Sequence, residues 1–490
     1  MARIPRYLPR ACIVAALVLV GAAAQGSGSS WPANVRVNQD HDGNHQGETS
    51  LAVDPNDPLH LVTVFWEVIS FDPSSPGTRS KRLNWAWTRD GGLTWQSRRF
   101  ENGVYSSDPS IVADRQGNFY IETILVPHFP DETDASIGIL RSTDGGETFV
   151  KTADVGFNRF MDKPFITIDP VTDALYVVWT DFAPTRGPSA VRIFFAASVD
   201  HGATFTPPGQ ISGAASFGSW ATAAVGPGGE IYATWSAEYY PEIRVWLERS
   251  LDGGRTWMDR SARVADIPAA KTRQGSGLCW PTIAVDRSGG PHHGRIYVAW
   301  TRRTVGIGTV ELAWSDDRGD HWSKPVQVDD LEAGNDSHYR GWVVVDDHGR
   351  VHVTYSLFRT DPTGTLNGEY FVTSTDGGAT FGPNIRVSDG LYLNKIFSGD
   401  YNQPAISGNI LHAIWADARF GDNDVFTQRV NLDDYDEDGI LNDGDQDGQE
   451  ADHPCIGGAT TKCDDNCPGT PNPDQADADG DGIGDACDAA

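Results

Sequence analysis

Two groups of side chains in this 490-residue chain are of types that do chemistry, and they lie in different parts of it. The first is a set of aspartates near the C-terminus. Asp434, Asp436 and Asp438 precede Gly439-Ile440 and are followed by Asp443, Asp445 and Asp447; Asp477, Asp479 and Asp481 precede Gly482-Ile483 and are followed by Asp485. Carboxylates on every second residue, closed by a glycine, let a loop wrap oxygen ligands around a hard cation, so Ca²⁺ is the expected cofactor. The second group is spread between positions 48 and 419 and includes Glu48, Asp108, Asp162, Lys163, Glu238, Arg302, Arg340, Asp400, Tyr401 and Arg419. A carboxylic acid can protonate a leaving oxygen, and a guanidinium can fork onto a substrate carboxylate. A tyrosine beside a carboxylate can act as a nucleophile on a sugar.

What would bring the second group together is a repeat. Six eight-residue segments follow the pattern Ser/Thr, any, Asp, any, Gly, any, Thr, Trp/Phe: Thr88–Trp95, Ser142–Phe149, Ser198–Phe205, Ser250–Trp257, Ser315–Trp322 and Ser374–Phe381. The fifth has His321 in place of Thr. This is turn chemistry: Asp accepts backbone N–H groups, Gly supplies a left-handed φ, and the aromatic packs beneath the hairpin. These six aspartates are therefore expected to be structural.

Upstream of each box, and once more without a box, stand two short β-prone runs. Ile166-Thr-Ile-Asp169 with Leu175-Tyr-Val-Val-Trp179, and Ile283-Ala-Val-Asp286 with Ile296-Tyr-Val-Ala-Trp300, are two of the seven copies. Their largely apolar character fits strands buried on both faces. Two such strands and the pair flanking a box make a four-stranded blade. The fold class expected is all-β: a propeller of seven blades, or of six with one irregular strand pair. In the boxless seventh unit, Asp424–Val430 supplies the third strand and Asn34–Asn38, from the N-terminus, the fourth, so that no sheet edge stays open.

The boxes are those of the sialidase superfamily, which the chain resembles from about Asn34 to Val430. The 2–3 loops and blade links lie opposite the boxes, around the central channel, and the functional residues are expected there. The resemblance implies Arg302, Arg340 and Arg419 as the substrate-binding arginines and Tyr401 as nucleophile with Glu238 as its partner. It implies Asp162 or Asp108 as acid/base. An aromatic-Arg-Ile-Pro motif also belongs to that family; the chain's one Arg-Ile-Pro is Arg3-Ile4-Pro5, outside the propeller. Two functions follow as expectations: an exo-glycosidase acting on sialic acid or a related acidic sugar, or a non-catalytic propeller binding glycan or glycoprotein.

The last segment, with Asp465-Asn-Cys467-Pro468, Asn472–Gln475 and Gly484–Asp488, resembles a thrombospondin type 3 repeat, which implies calcium held by Asp side chains and stapled by disulfides. From Leu432 onward there are sixteen Asp and two Glu against one Lys, so −17 of the chain's net −29 lies here. With so few apolar residues, metal and disulfides must order this tail. Cys455, Cys463, Cys467 and Cys487 have three pairings open to them; Cys455–Cys463 with Cys467–Cys487 is preferred, leaving Cys279 free.

The overall acidity excludes a nucleic-acid partner. Arg3, Arg6 and Arg10 before the apolar stretch Ala11–Val20 and the small residues Ala22-Ala23-Ala24 describe an export leader. The expected organisation is a leader at 1–24, a linker at 25–33, the propeller at 34–431 and the tail at 432–490. The protein is expected to be secreted or at the cell surface, with no transmembrane segment after cleavage and with surface association through the tail.

Overall fold

A strand pair that is apolar on both faces is stable only when sheets cover it from both sides. The repeated pairs meet that need by packing blade on blade in a ring. The computed structural model describes residues 33–488 apart from 41–42, 72–78, 101–103, 129–133, 158–160, 183–190, 213–217, 240–241, 269–278, 305–306, 331–335, 363, 394–397, 446–449 and 451. The expected leader, at 1–24, lies outside the described residues.

Seven sheets, antiparallel apart from a short parallel pairing of Asn402–Gln403 with the first strand of blade 1, follow one another along the chain. Blade 1 comprises His45–Asp54, Asp57–Phe71, Arg79–Thr88 and Gln96–Arg99, and blades 2 to 6 repeat this meander up to Ile385–Arg386. Blade 7 is built from Ala405–Ser407, Ile410–Asp417 and Asp424–Asn431, and its outer strand is Val35–Arg36 from the N-terminus. The seven-bladed expectation and its N-terminal closing strand hold, and the six-bladed alternative does not.

The first strands of successive blades touch and line the channel. Between blades the core is continuous: Val62, Val64, Leu83, Trp85 and Trp87 of blade 1 pack on Ile111, Phe119, Ile121 and Leu140 of blade 2. The aromatic closing the second strand is buried in most blades, with Trp66, Trp235, Trp300 and Trp415 all under 2% exposed. Truncating one to Ala would cost about 3–5 kcal/mol.

Each box tip is tied as its residues require. In blade 3, Ser198 Oγ donates to Asp200 Oδ1 at 2.8 Å and accepts from Gly202 N at 3.0 Å. Asp200 also accepts from Thr204 N at 2.9 Å and Thr204 Oγ1 at 2.5 Å. Those bonds to Thr204 hold its carboxyl down at about 2. In the fifth box His321 Nδ1 takes the missing hydroxyl's place, 2.6 Å from Asp317 Oδ2. The glycines stand at positive φ; at Gly146 (φ 82°) an added Cβ would lie 2.5 Å from Val62 Cγ2.

Beyond Asn431 the tail carries disulfides Cys455–Cys463 and Cys467–Cys487, the preferred pairing, and Cys279 is free and buried. The tail does not begin as a separate unit at residue 432: Leu432 and Tyr435 are buried in one cluster with Phe371, Ile385, Leu411 and Phe426 of blades 6 and 7. Among the described residues no helix is long and apolar enough to cross a membrane.

Candidate functional site

The channel end opposite the boxes is organised by a backbone feature repeated from blade to blade. Near the start of the first strand the register slips between Gly47 and Ser50, Ser107 and Ser110, Asp162 and Phe165, Ser219 and Thr222, and Tyr339 and Trp342. The first bulged residue in each case has a left-handed φ: Glu48 (53°), Asp108 (52°), Lys163 (46°), Trp220 (65°) and Arg340 (60°). None is glycine, and such a conformation costs on the order of 1–3 kcal/mol at each position. In blade 7 the corresponding stretch is Gly399 (φ 95°), Asp400 and Tyr401; in blade 5 it is Trp280. Bulges re-aim side chains, and here they serve a ring of large polar and aromatic groups.

Lys163 is the hub of that ring. Its Nζ donates to Glu48 Oε1 at 2.7 Å, pairs with Asp400 Oδ2 at 2.7 Å and contacts Asp108 Oδ1. It also sits 4.6 Å from the Trp220 ring centroid. Burial alone would lower the Lys163 pKa, but the carboxylates of Asp108, Glu48 and Asp400 raise it well above the usual value. Burial, helped by the charge of Asp108, pushes Glu48 up to about 8, and Trp66 Nε1 donates to its Oε2 at 2.7 Å. Burial would also raise Asp108, yet the ammonium groups of Lys163 and Lys81 hold it well below the carboxylate range. Neighbouring carboxyls are thus driven apart, Glu48 towards the acid and Asp108 towards the anion.

Beside this hub a shallow pocket, partly open to solvent, is lined by Lys163, Phe165, Trp220, Trp280, Arg340, Trp342, Asp400 and Tyr401. Trp220 and Trp280 lie with ring centroids 4.6 Å apart. Arg340 is buried; NH1 donates to Ser398 Oγ at 3.1 Å and NH2 to the Gly399 carbonyl at 2.5 Å. It has no ion-pair partner among the described residues. The nearby Glu369 does not supply one, because burial pushes its carboxyl up to about 8.

Of the residues implied by the sialidase resemblance, Arg340 and Tyr401 line the pocket and Asp108 belongs to the hub. Of the three arginines only Arg340 lines this pocket. Arg302 pairs with Glu311 at 3.0 Å, and Arg419 is clamped by Asp417 at 2.6 Å and Asp389 at 2.8 Å over the rings of Tyr392 and Phe426. The Tyr401 hydroxyl donates to the Pro109 carbonyl at 2.8 Å, and burial with the charges of Glu48 and Asp108 raises its pKa well above normal, the reverse of what a phenolate nucleophile needs. Asp162, beside the hub, is pushed up to about 6 by burial, with Asp108 and Asp400 adding to the rise. Glu238 lies in the strand Ile231–Tyr239, and its side chain is outside the described residues. Glu48, Lys163, Trp220 and Trp280 carry more of the site than their sequence signal suggested. What marks them is their shared position just ahead of the repeated strand.

In the tail, three sets of carboxylate oxygens converge within 4.8 Å: Asp434, Asp436 and Asp438; Asp443, Asp445 and Asp464; and Asp477, Asp479 and Asp481. The first set fits a cation best. Asp434 Oδ1, Asp436 Oδ2 and Asp465 Oδ2 are buried acceptors without a hydrogen-bond partner. Burial, then the charges of Asp465 and Asp438, pushes Asp436 up to about 8. Asp464 and Asp465 come from beyond Cys463, and their spacing from the alternate aspartates gave no signal for them. Asp447 is outside the described residues, and Asp485 instead accepts from Ala478 N at 2.8 Å.

No protein-family model and no curated protein matches the chain. Among solved structures it is similar to an α-L-arabinofuranosidase of Fusarium graminearum in complex with arabinobiose, at 13% identity over 83% of this chain and 99% of that one, with a TM-score of 0.48. It is also similar to a Hadza microbial sialidase (14%, 83% and 99%, TM-score 0.44) and to a polysaccharide lyase described as an ulvan lyase (13%, 81% and 96%, TM-score 0.47). Strand order, closure and boxes define the class of this protein: a seven-bladed β-propeller with a disulfide-bearing C-terminal tail.

Proposed function

We propose that this is an exported propeller whose channel mouth binds an acidic sugar, with a calcium-binding tail. The observation that carries the binding site is Arg340: a buried guanidinium, held in a strained backbone conformation, lining a pocket with no ion-pair partner among the described residues. A buried charge left unpaired is costly, and a ligand carboxylate would compensate it with charge-assisted hydrogen bonds. Trp220, Trp280 and Trp342 beside it suit the apolar face of a sugar ring. A sialic acid or a uronic acid combines these two features. Binding without turnover is favoured, because Arg302 and Arg419 are already paired and the Tyr401 hydroxyl is engaged. One observation favours hydrolysis instead: Asp162, raised to about 6, is suited to donate a proton near neutral pH.

Calorimetric titration with N-acetylneuraminic and glucuronic acids, and a glycan array, test the site. Binding is expected, with Arg340→Ala weakening it by about 10–100-fold. If the variant binds as well as the parent, the assignment fails. A fluorogenic sialoside assay discriminates the hydrolytic reading, which predicts turnover lost in Asp162→Asn.

For the tail, Asp434, Asp436, Asp438 and Asp465 would hold Ca²⁺, which when bound supplies the positive charge that lets their carboxylates share one site. Titration of the full chain with Ca²⁺ should release heat that Asp436→Asn diminishes. Equal heats in parent and variant would remove these residues from any calcium site. Export is tested by N-terminal sequencing of protein recovered from the medium, expected to begin at Gln25.

A further inference from the structure

The first acidic loop does not hang from the propeller; it is built into its closing seam. The third strand of blade 7, Asp424–Asn431, runs directly into Leu432, whose N donates to Asn409 O at 2.7 Å. That strand receives the short N-terminal closing strand at Val35 with Thr427 and Arg36 with Phe426, and Val37 N donates to the Val425 carbonyl at 2.8 Å. Three residues past Leu432, Tyr435 projects into the propeller between Asp434 and Asp436. Its ring meets Phe371 edge-on at 5.0 Å, and its hydroxyl contacts Thr373 Oγ1 at 2.9 Å and Glu450 at 2.8 Å. Arg350 bridges blade 6 to the same segment, with Nε on Asp346 Oδ2 at 2.6 Å and NH1 on Asp433 Oδ1 at 2.9 Å. Glu437, inside the loop, lines a small cleft with Val35 of the closing strand, Leu93 of the first box, and His412 and Gln428 of blade 7.

We infer that a divalent cation in the Asp434–Asp436–Asp438 loop acts as a clasp on the propeller, holding the blade 7 seam shut through Tyr435. The inference rests on the calcium reading of that loop. Alternation is the physical link: the aspartates flanking Tyr435 turn to the cation while Tyr435 turns to blade 6. Fixing the loop therefore fixes the ring that pins the end of the closing strand's partner. Without the cation, three crowded carboxylates repel one another and loosen the same residues.

The test uses the full-length protein, Ca²⁺ or a chelator, and amide hydrogen exchange of 410–417 and 424–431, with blade 3 strand 192–198 as reference. Calcium binding is followed in parallel by calorimetry. Calcium is expected to slow exchange in blade 7, by up to about 100-fold when it is present at 100 times its Kd, and to leave blade 3 unchanged. Tyr435→Phe, which keeps the contact with Phe371, should still bind calcium while losing part of the blade 7 protection; Tyr435→Ala should lose more. If the alanine variant does not fold, the phenylalanine variant carries the comparison. Calcium binding with no change in blade 7, or an equal gain in every blade, overturns the clasp and leaves the calcium reading standing. Absence of calcium binding overturns both.

Discussion

Arg340 and Lys163 show how differently two buried cations can be treated in one channel. Lys163 is paired with Asp108 and Asp400 and also donates to Glu48. Arg340 donates to a hydroxyl and a carbonyl and lies over the Phe358 ring, with no ion-pair partner among the described residues. On the proposed reading, that difference leaves Arg340 to meet a ligand anion. Glu369 helps keep it so, because a carboxyl raised to about 8 is mostly neutral at pH 7. The raised value also has a stability consequence. A carboxyl more easily protonated in the folded state contributes stability below its unfolded pKa of about 4.5, and that contribution is lost as pH rises towards 8. Glu369→Gln should therefore be relatively more stable than the parent at pH 8 than at pH 5, by on the order of a few kcal/mol. Thermal melts of both proteins across that range check this; parallel curves would contradict it.

At the scale of the element, the box hairpin depends on its first hydroxyl as much as on its aspartate. Ser198 is buried, orders Asp200 and takes the N–H of Gly202. Ser198→Ala leaves that N–H without a partner and should cost about 1–2 kcal/mol, read from the denaturant midpoint. The bulges at the other end of the first strands are a second recurrent device. Each box was visible as a string of residue types because its hydrogen bonds are local. The bulges were not, since a left-handed φ at Glu48 or Lys163 follows from packing around a channel rather than from any preference of Glu or Lys. Only the position of these residues ahead of the repeated strand hinted at a shared role.

The described propeller is a ring closed by a short N-terminal strand. Removing residues 33–38 should expose the edge of Asp424–Asn431, lower the melting temperature by several degrees and promote self-association, measurable by calorimetry and light scattering. A truncated chain that stays monomeric and melts as the parent does would show that the strand is dispensable. Repetition is what made the blades and the closing strand legible along the chain, while the Cys455–Cys463 and Cys467–Cys487 pairing was one of three that the sequence left open. Strand period, turn chemistry and cysteine spacing are set by residues near in sequence. The partners of the arginines were hidden for the opposite reason. Arg302 lies near the end of a second strand and Arg419 just after one, and Glu311 and the Asp389–Asp417 pair engage them. Which charge neutralises which, whether Asp465 joins a loop thirty residues upstream, and where the tail meets the propeller depend on distances between segments far apart in the chain. Such distances exist only once the chain has folded.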